Sequence, residues 1–226
     1  MESVRDWCGL NDYQYRFIGD ELFALLPAEL LEKTTEQPVI ASDLARLLVL
    51  QAALKEGYQR VLWLDADFLI FRPREFIIPE QSSAVGREVW VQQDRNGKLK
   101  VYKKVHNAFL MFRRDNTLLD FYSETAASLL SLNQGRMPPQ FIGPKLLTAL
   151  HNVVNLPVLE TAGMLSPMVI RDLLQGSGAA LDLFSRHSPL PVTAANLCVS
   201  SCDRKELSEQ QMKSVIDLLA SAGSPF

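Results

Sequence analysis

The sequence predicts a mixed α/β fold, a sheet covered by helices, and three observations predict it. Segments of strand-like alternation and segments of helical spacing interleave along the chain, the pattern of a sheet with helices packed on its faces. One helix-forming segment, Ser42 to Glu56, is apolar nearly all round and is therefore expected to be buried. A short apolar run, Arg60-Val61-Leu62-Trp63-Leu64, reads as a buried strand and ends in Asp65-Ala66-Asp67, two carboxylates one residue apart. With 226 residues, 47% of them hydrophobic, the chain can bury one sizeable core, and it is read as a single domain, 1–226.

The elements follow in order. A short helix is expected around Ser3 to Gly9, then an aromatic, alternating strand from Tyr13 to Ile18 and a turn at Gly19-Asp20. Ser42 is read as the cap of the long helix and Gly57 as its stop. Val61 to Leu64 and Phe68 to Phe71 flank the acidic pair as strands, closed by Arg72-Pro73. Val89 to Gln92 and Leu99 to Tyr102 alternate around Asp94-Arg95-Asn96-Gly97, and Asn-Gly between alternating segments signals a hairpin. Ala108 to Phe112 is a further strand, Thr117 to Leu132 a helix, and Pro144 to Leu150 a short helix after the break at Pro138-Pro139. Within 203–226, Ser208 and Gln211 form a capping-box pair ahead of Met212, Val215, Ile216 and Leu219. That is an amphipathic helix whose mixed-sign outer face suits packing on the domain.

Composition narrows the function. Twenty-three Lys and Arg against 26 Asp and Glu give a formal charge of −3 with no long basic run, so no footprint for a nucleic-acid backbone is evident. Any anionic substrate must be met locally. Cys8, Cys198 and Cys202 are an odd number, which argues against a disulfide framework and for a reducing compartment. The amino terminus lacks the pattern of a signal peptide, and the longest apolar stretch, Leu44 to Leu54, is too short to cross a bilayer. The expected location is the cytoplasm, with a peripheral position at the membrane as a variant of it.

The chemistry gathers at Asp65-Ala66-Asp67. Two acids at the tip of a buried strand repel each other unless a cation or hydrogen-bond donors offset them. Oxygen ligands from one or two carboxylates, completed by substrate phosphates, are how Mg²⁺ or Mn²⁺ is held at nucleotide sites. Asp43 and Arg46 are three apart on the apolar helix and share one face. An exposed intrahelical ion pair of that kind contributes only a few tenths of a kcal/mol, too little to justify polar residues in such a helix.

These blocks, taken in order, resemble the family 32 glycosyltransferases with the DXD sugar-binding region, distantly related to the glucosylating clostridial toxins and to α-1,4-galactosyltransferases. The resemblance rests on Ala41-Ser42-Asp43-x-x-Arg46, on Gly57-Tyr58 leading into Leu62-Trp63-Leu64-Asp65-Ala66-Asp67, on Asn107-Ala108-Phe109-Leu110 and on Gly143-Pro144-Lys145-Leu146-Leu147-Thr148. Trp7 to Glu21 is similar to the region that precedes the family's helix, so the likeness spans about Trp7 to Thr148. It implies a GT-A fold and metal-dependent transfer of a hexose or N-acetylhexosamine, with retention, from a UDP-sugar to a saccharide acceptor. By the same likeness Asp67 would ligate Mn²⁺ or Mg²⁺ and Asp65 would contact the donor and the metal. Asp43 and Arg46 would hold the donor sugar, and Asn107, with His106 beside it, would reach a sugar hydroxyl. Gly143 and Pro144 would line the donor site. The family's first strand, part of its nucleotide wall, is expected before the point where Met1 stands. Where relatives close over the metal with a histidine or a Ser-Trp pair, this chain has Asn196, Ser200 and Ser201 as substitutes.

Two alternatives stand beside this reading. Haloacid-dehalogenase-type phosphatases also end a strand in acid-x-acid, the first acid being a nucleophile. Here Phe68 follows where threonine or valine is usual, and no Gly-Asp block with a second acidic pair is evident. The other is a non-catalytic protein of the glycosyltransferase fold that binds a nucleotide sugar or a partner without turnover.

Overall fold

The computed structural model describes residues 1–199 and 208–222, and it is a mixed α/β structure with two sheets. The chain enters as helix α1 (Glu2–Leu10), passes a 3₁₀ turn (Asp20–Leu25) and helix α2 (Ala28–Lys33), and reaches the long helix α3 (Pro38–Glu56). Strands β1 (Arg60–Leu64) and β2 (Phe68–Ile70) follow, then the long ribbon of β3 (Ser83–Gln93) and β4 (Leu99–Arg113). Helix α4 (Leu118–Leu132), a π-type turn (Phe141–Lys145) and α5 (Leu146–Val154) lead to β5 (Val158–Leu159) and β6 (Ala162–Met164). Helices α6 (Pro167–Gln175) and α7 (Ala179–His187), strand β7 (Ala194–Asn196) and helix α8 (Glu209–Ala222) complete it.

One sheet has the order β1-β4-β3-β5, with only the β3–β5 pair parallel; the other has the order β2-β7-β6, with β7 and β6 parallel. Three buried clusters are built on the β3–β4 ribbon. Val85, Val105, Leu110 and Phe112 pack against α3 and α4. Ala84, Phe109 and Met111, on the opposite face, meet Phe68, Ile70, Ala162 and Ala194 of the second sheet. Farther out, Val89 and Val91 pack against α6, α7 and α8. The same two strands contribute to every cluster.

Several expectations need correction. Tyr13 to Ile18 pairs with no strand: Tyr13 stacks on Trp7 at 5.0 Å and accepts a 3.1 Å hydrogen bond from Arg60, so its aromatics cover α1 and the start of β1. Helix α3 begins at Pro38, whose fixed φ suits the first turn, which leaves Ser42 inside the helix and not at its cap. Gly57 ends α3 as expected, with φ +115°. The second hairpin strand and the strand from Ala108 are one element, β4. The short helix expected from Pro144 starts at Leu146, after the π-type turn. The capping box at Ser208 is present: its amide donates to Gln211 at 2.9 Å, and the Gln211 amide donates to the Ser208 hydroxyl at 3.2 Å. Helix α8 then buries Val215 and Leu219. Cys8 and Cys198 are buried, while Cys202 lies outside the described residues. No helix among the described residues is long and apolar enough to cross a membrane.

Strand β4 carries the irregularity that makes the site. Val85 faces Leu110 but Gly86 faces His106, so Asn107, Ala108 and Phe109 bulge out of register with β3. On the other edge the bulge is held by β1, where Phe109 pairs with Leu64 and the Asp65 amide donates to the Ala108 carbonyl at 3.0 Å. His106 locks the turn from inside. Its Nδ1 accepts the Ala108 amide at 3.2 Å and its Nε2 donates to the Ala162 carbonyl at 3.1 Å, an assignment that fixes a neutral tautomer. The ring lies directly over Gly86, where any side chain would collide with it.

Burial drives the His106 pKa down to about 4, the Ala162 bond opposing. An unfolded chain takes up that proton near pH 6.5, so this histidine's contribution to stability is complete above about 6.5 and is lost as pH falls toward 4. The loss is of order 3 kcal/mol for a shift of this size. Asp43 and Glu88, whose pKa values burial raises, act in the opposite sense. The His106→Gln variant is therefore expected to show a flatter acid limb than the parent in urea titrations between pH 6.5 and 4. Parallel limbs in the two proteins would refute the buried neutral histidine.

Candidate functional site

The site forms where α3, the tip of β1, the β4 bulge and the loop after β7 meet. Arg46 is its hub, 6% exposed, reaching out of a helix whose other buried residues are almost all apolar. One terminal nitrogen donates to Asp65 Oδ1 and to the Asn107 carbonyl, both at 2.9 Å. The other donates to the Ser42 hydroxyl at 3.3 Å and contacts Asp43 Oδ1 at 3.3 Å, and Nε donates to the Ser42 carbonyl. The guanidinium carbon sits 5.5 Å from the Trp63 ring centre. Burial works against the charged form, but Asp65 and Asp43 more than offset it and the Arg46 pKa is raised.

Asp43 is 3% exposed. Its Oδ1 accepts a 2.7 Å bond from Asn107 Nδ2, while its Oδ2 is buried without a hydrogen-bond partner. Burial raises its pKa, with Arg46 and Asn107 pulling the other way. Oδ2 abuts Gly143, where an added side chain would overlap the carboxylate. Tyr122 holds that turn from behind, donating to the Ile142 carbonyl at 3.0 Å, and burial pushes its pKa up. Pro144 follows Gly143 within the π-type turn and serves its shape.

The two acids of the motif are held differently. Asp65 takes both of its hydrogen bonds on Oδ1, from Arg46 and from Trp63 Nε1 at 2.6 Å, and its side chain is a quarter exposed. Asp67 is gripped by the chain after β7. The Leu197 amide donates to its carbonyl at 3.0 Å, Asn196 Nδ2 to Oδ1 at 2.6 Å, and the Val199 amide to Oδ2 at 2.9 Å. Asn196 also accepts the Cys198 amide at 2.8 Å, and Cys198 takes a left-handed φ of +49° that turns the Val199 amide back toward Asp67.

Asp43, Arg46, Asp65 and Asn107 are thus in one hydrogen-bonded network, and Asp67 and Asn196 in a second beside it. Three expectations change in detail. His106 lies inside the fold with both ring nitrogens engaged, so it shapes the bulge and offers no group to a donor sugar. Arg46 spends its guanidinium on the protein and is a positioning residue. Asn196, expected as a metal ligand, orients Asp67 through its amide; Ser200 and Ser201 lie outside the described residues. The roles of Ser42, Trp63 and Tyr122 were not anticipated. Ser42 could have been found one helical turn before Arg46, and Trp63 two residues before Asp65 on the same side of a strand. Nothing local marks Tyr122.

The donor set suits a hard divalent cation. Each Asp67 oxygen accepts one hydrogen bond and a carboxylate oxygen has two acceptor sites, so capacity remains, as it does on Asp65 Oδ2. Among the described residues no three His, Cys, Asp or Glu side chains converge as a complete cage. Mg²⁺ and Mn²⁺ need no such cage when phosphate and water complete their shell.

Removing Arg46 leaves Asp43 and the Asn107 carbonyl buried, and Asp65 half-buried, without their cation. Arg46→Leu is expected to lower unfolding free energy by about 3–5 kcal/mol, the range for breaking a buried pair. Adding Asp43→Asn should recover part of that loss, a coupling that urea denaturation of the two single variants and the double variant would measure. Additive losses would show that the network is not a unit.

No family model, no curated protein and no solved structure matches the chain.

Proposed function

We propose that the protein is a glycosyltransferase of GT-A type that moves a hexosyl or N-acetylhexosaminyl group from a UDP-sugar to a hydroxyl of a saccharide. The observation that carries the reading is the pair of partly exposed carboxylates at the tip of β1, each immobilised by neutral or cationic donors from separate elements. Placement of this kind is what a diphosphate-binding centre requires, because groups fixed before the substrate arrives need no reorganisation when charge develops. The resemblance of its ordered blocks to those of the family 32 enzymes supports the same reading.

Asp65 and Asp67 would hold Mn²⁺ or Mg²⁺, which as a Lewis acid offsets the charge growing on the departing diphosphate. This chain's own residues do the rest. Asn107 gives its amide N–H to Asp43, and its amide oxygen would accept from a donor hydroxyl. Arg46, engaged with Asp43, Asp65 and the Asn107 carbonyl, keeps Asp65 and Asn107 at fixed spacing. Asn196 and the Val199 amide stop Asp67 from turning away. In the transfer the bond from the anomeric carbon to the diphosphate oxygen breaks, a bond to the acceptor oxygen forms, and the acceptor's proton leaves with the diphosphate or to solvent.

Isothermal titration of UDP is the direct test. Binding is expected only with Mn²⁺ or Mg²⁺ present, and Asp67→Ala should weaken it by about tenfold or more, the equivalent of 1.4 kcal/mol. If UDP does not bind the parent protein in a metal-dependent way, the glycosyltransferase reading fails. Metal-dependent binding without release of UDP in the presence of sugar donors would assign the chain to the non-catalytic alternative.

A further inference from the structure

The β3–β4 ribbon runs on past the site, and its two faces differ. Val89, Val91 and Val101 are covered by α6, α7 and α8. The alternate residues occupy the other face in cross-strand register: Glu88 opposite Lys104, Trp90 opposite Tyr102, and Gln92 opposite Lys100. Lys100, Tyr102 and Lys104 are exposed, Tyr102 by 40%, and Trp90 is half-buried. The Trp90 indole N–H donates to Gln92 Oε1 at 3.0 Å, which sets the ring's orientation, and the Lys104 ammonium lies 5.8 Å from the Tyr102 ring centre. Residues 87–104 carry six Lys and Arg against two acids, in a chain whose net charge is −3.

We infer that this exposed ribbon face, with Trp90 and Tyr102 between Lys100 and Lys104, binds an acidic oligosaccharide, the acceptor of the transfer proposed above. The inference rests on that reading. Sugar rings present apolar C–H faces that pack on aromatic rings, and the two flanking ammonium groups select a saccharide bearing carboxylates. Tyr102 lies five residues before Asn107 on the same strand, roughly 17 Å at the rise of an extended chain. That separation matches the length of an oligosaccharide of a few sugar units.

A bilayer is the less suitable occupant. The aromatic pair lies well back from the loop Asp94–Lys98, whose amides and charged groups would have to enter the lipid first. A nucleic acid is disfavoured because only two lysines share this face with the aromatics.

The chain's three tryptophans make the test direct. Trp7 is buried in the core, Trp63 sits beneath Arg46 and Trp90 is on the ribbon, so each indole N–H resonance reports one place. Titration of the full chain, without nucleotide or metal, with hexagalacturonate is expected to shift the Trp90 resonance and to leave Trp7 unmoved. Maltohexaose should bind about tenfold more weakly, and Tyr102→Ala and Lys100→Glu/Lys104→Glu should each lower hexagalacturonate affinity by about tenfold. An unmoved Trp90 signal at 10 mM hexagalacturonate overturns the inference, as does a preference for phosphatidylglycerol vesicles or for oligo-dT. Failure of the donor reading is separate, because it is read by UDP with Mg²⁺ at Trp63.

Discussion

The buried Arg46 guanidinium is the constraint on which the rest of the structure depends. A cation that deep is tolerated only if anions and carbonyls surround it, and Asp43, Asp65, Ser42 and the Asn107 backbone supply them from a helix, a strand end and a bulge. The bulge is distant in sequence from the helix and the strand end, and the cation fixes their spacing. Exchanging the whole network for apolar residues of equal volume would cost little or even stabilise the fold, since buried ion pairs add little net stability. Its persistence in an otherwise apolar helix points to the Asp65 carboxylate that it holds.

The β4 bulge is the second constraint, and it explains why the site lies at this place in the sheet. Three residues out of register with β3 free the Asn107 side chain from the ladder and turn it toward Asp43. Such a bulge needs compensation for its unpaired backbone groups. The Ala108 carbonyl accepts from Asp65, the Asn107 carbonyl from Arg46, and the Ala108 amide reaches His106. His106 works only as a neutral ring, and Gly86 provides the space beneath it. The geometry of the candidate site and core packing are thus coupled through one strand.

Beyond the site, the same ribbon changes character. Toward the bulge both of its faces are buried, against α3 and α4 on one side and the second sheet on the other. Toward the turn only the valine face is covered, which leaves Tyr102 exposed and Trp90 half-buried. The strand pair is thus core at one end and surface at the other.

The sequence by itself determined the elements with strong periodicity or clear punctuation: the buried helix with its glycine stop, the strand into Asp65-Ala66-Asp67, the Asn-Gly hairpin and the capping box at Ser208. It also named Asp43, Arg46, Asp65, Asp67, Asn107 and Asn196, because acids, amides and a cation in apolar surroundings are conspicuous on physical grounds. Only the tertiary structure decided what each of them does. Arg46 and Asn196 face protein groups, His106 is sealed in the core, and the short strands β5, β6 and β7 exist because neighbours far away in sequence pair with them. Burial and pairing of that kind depend on contacts between distant residues, which periodicity and spacing along one chain do not encode.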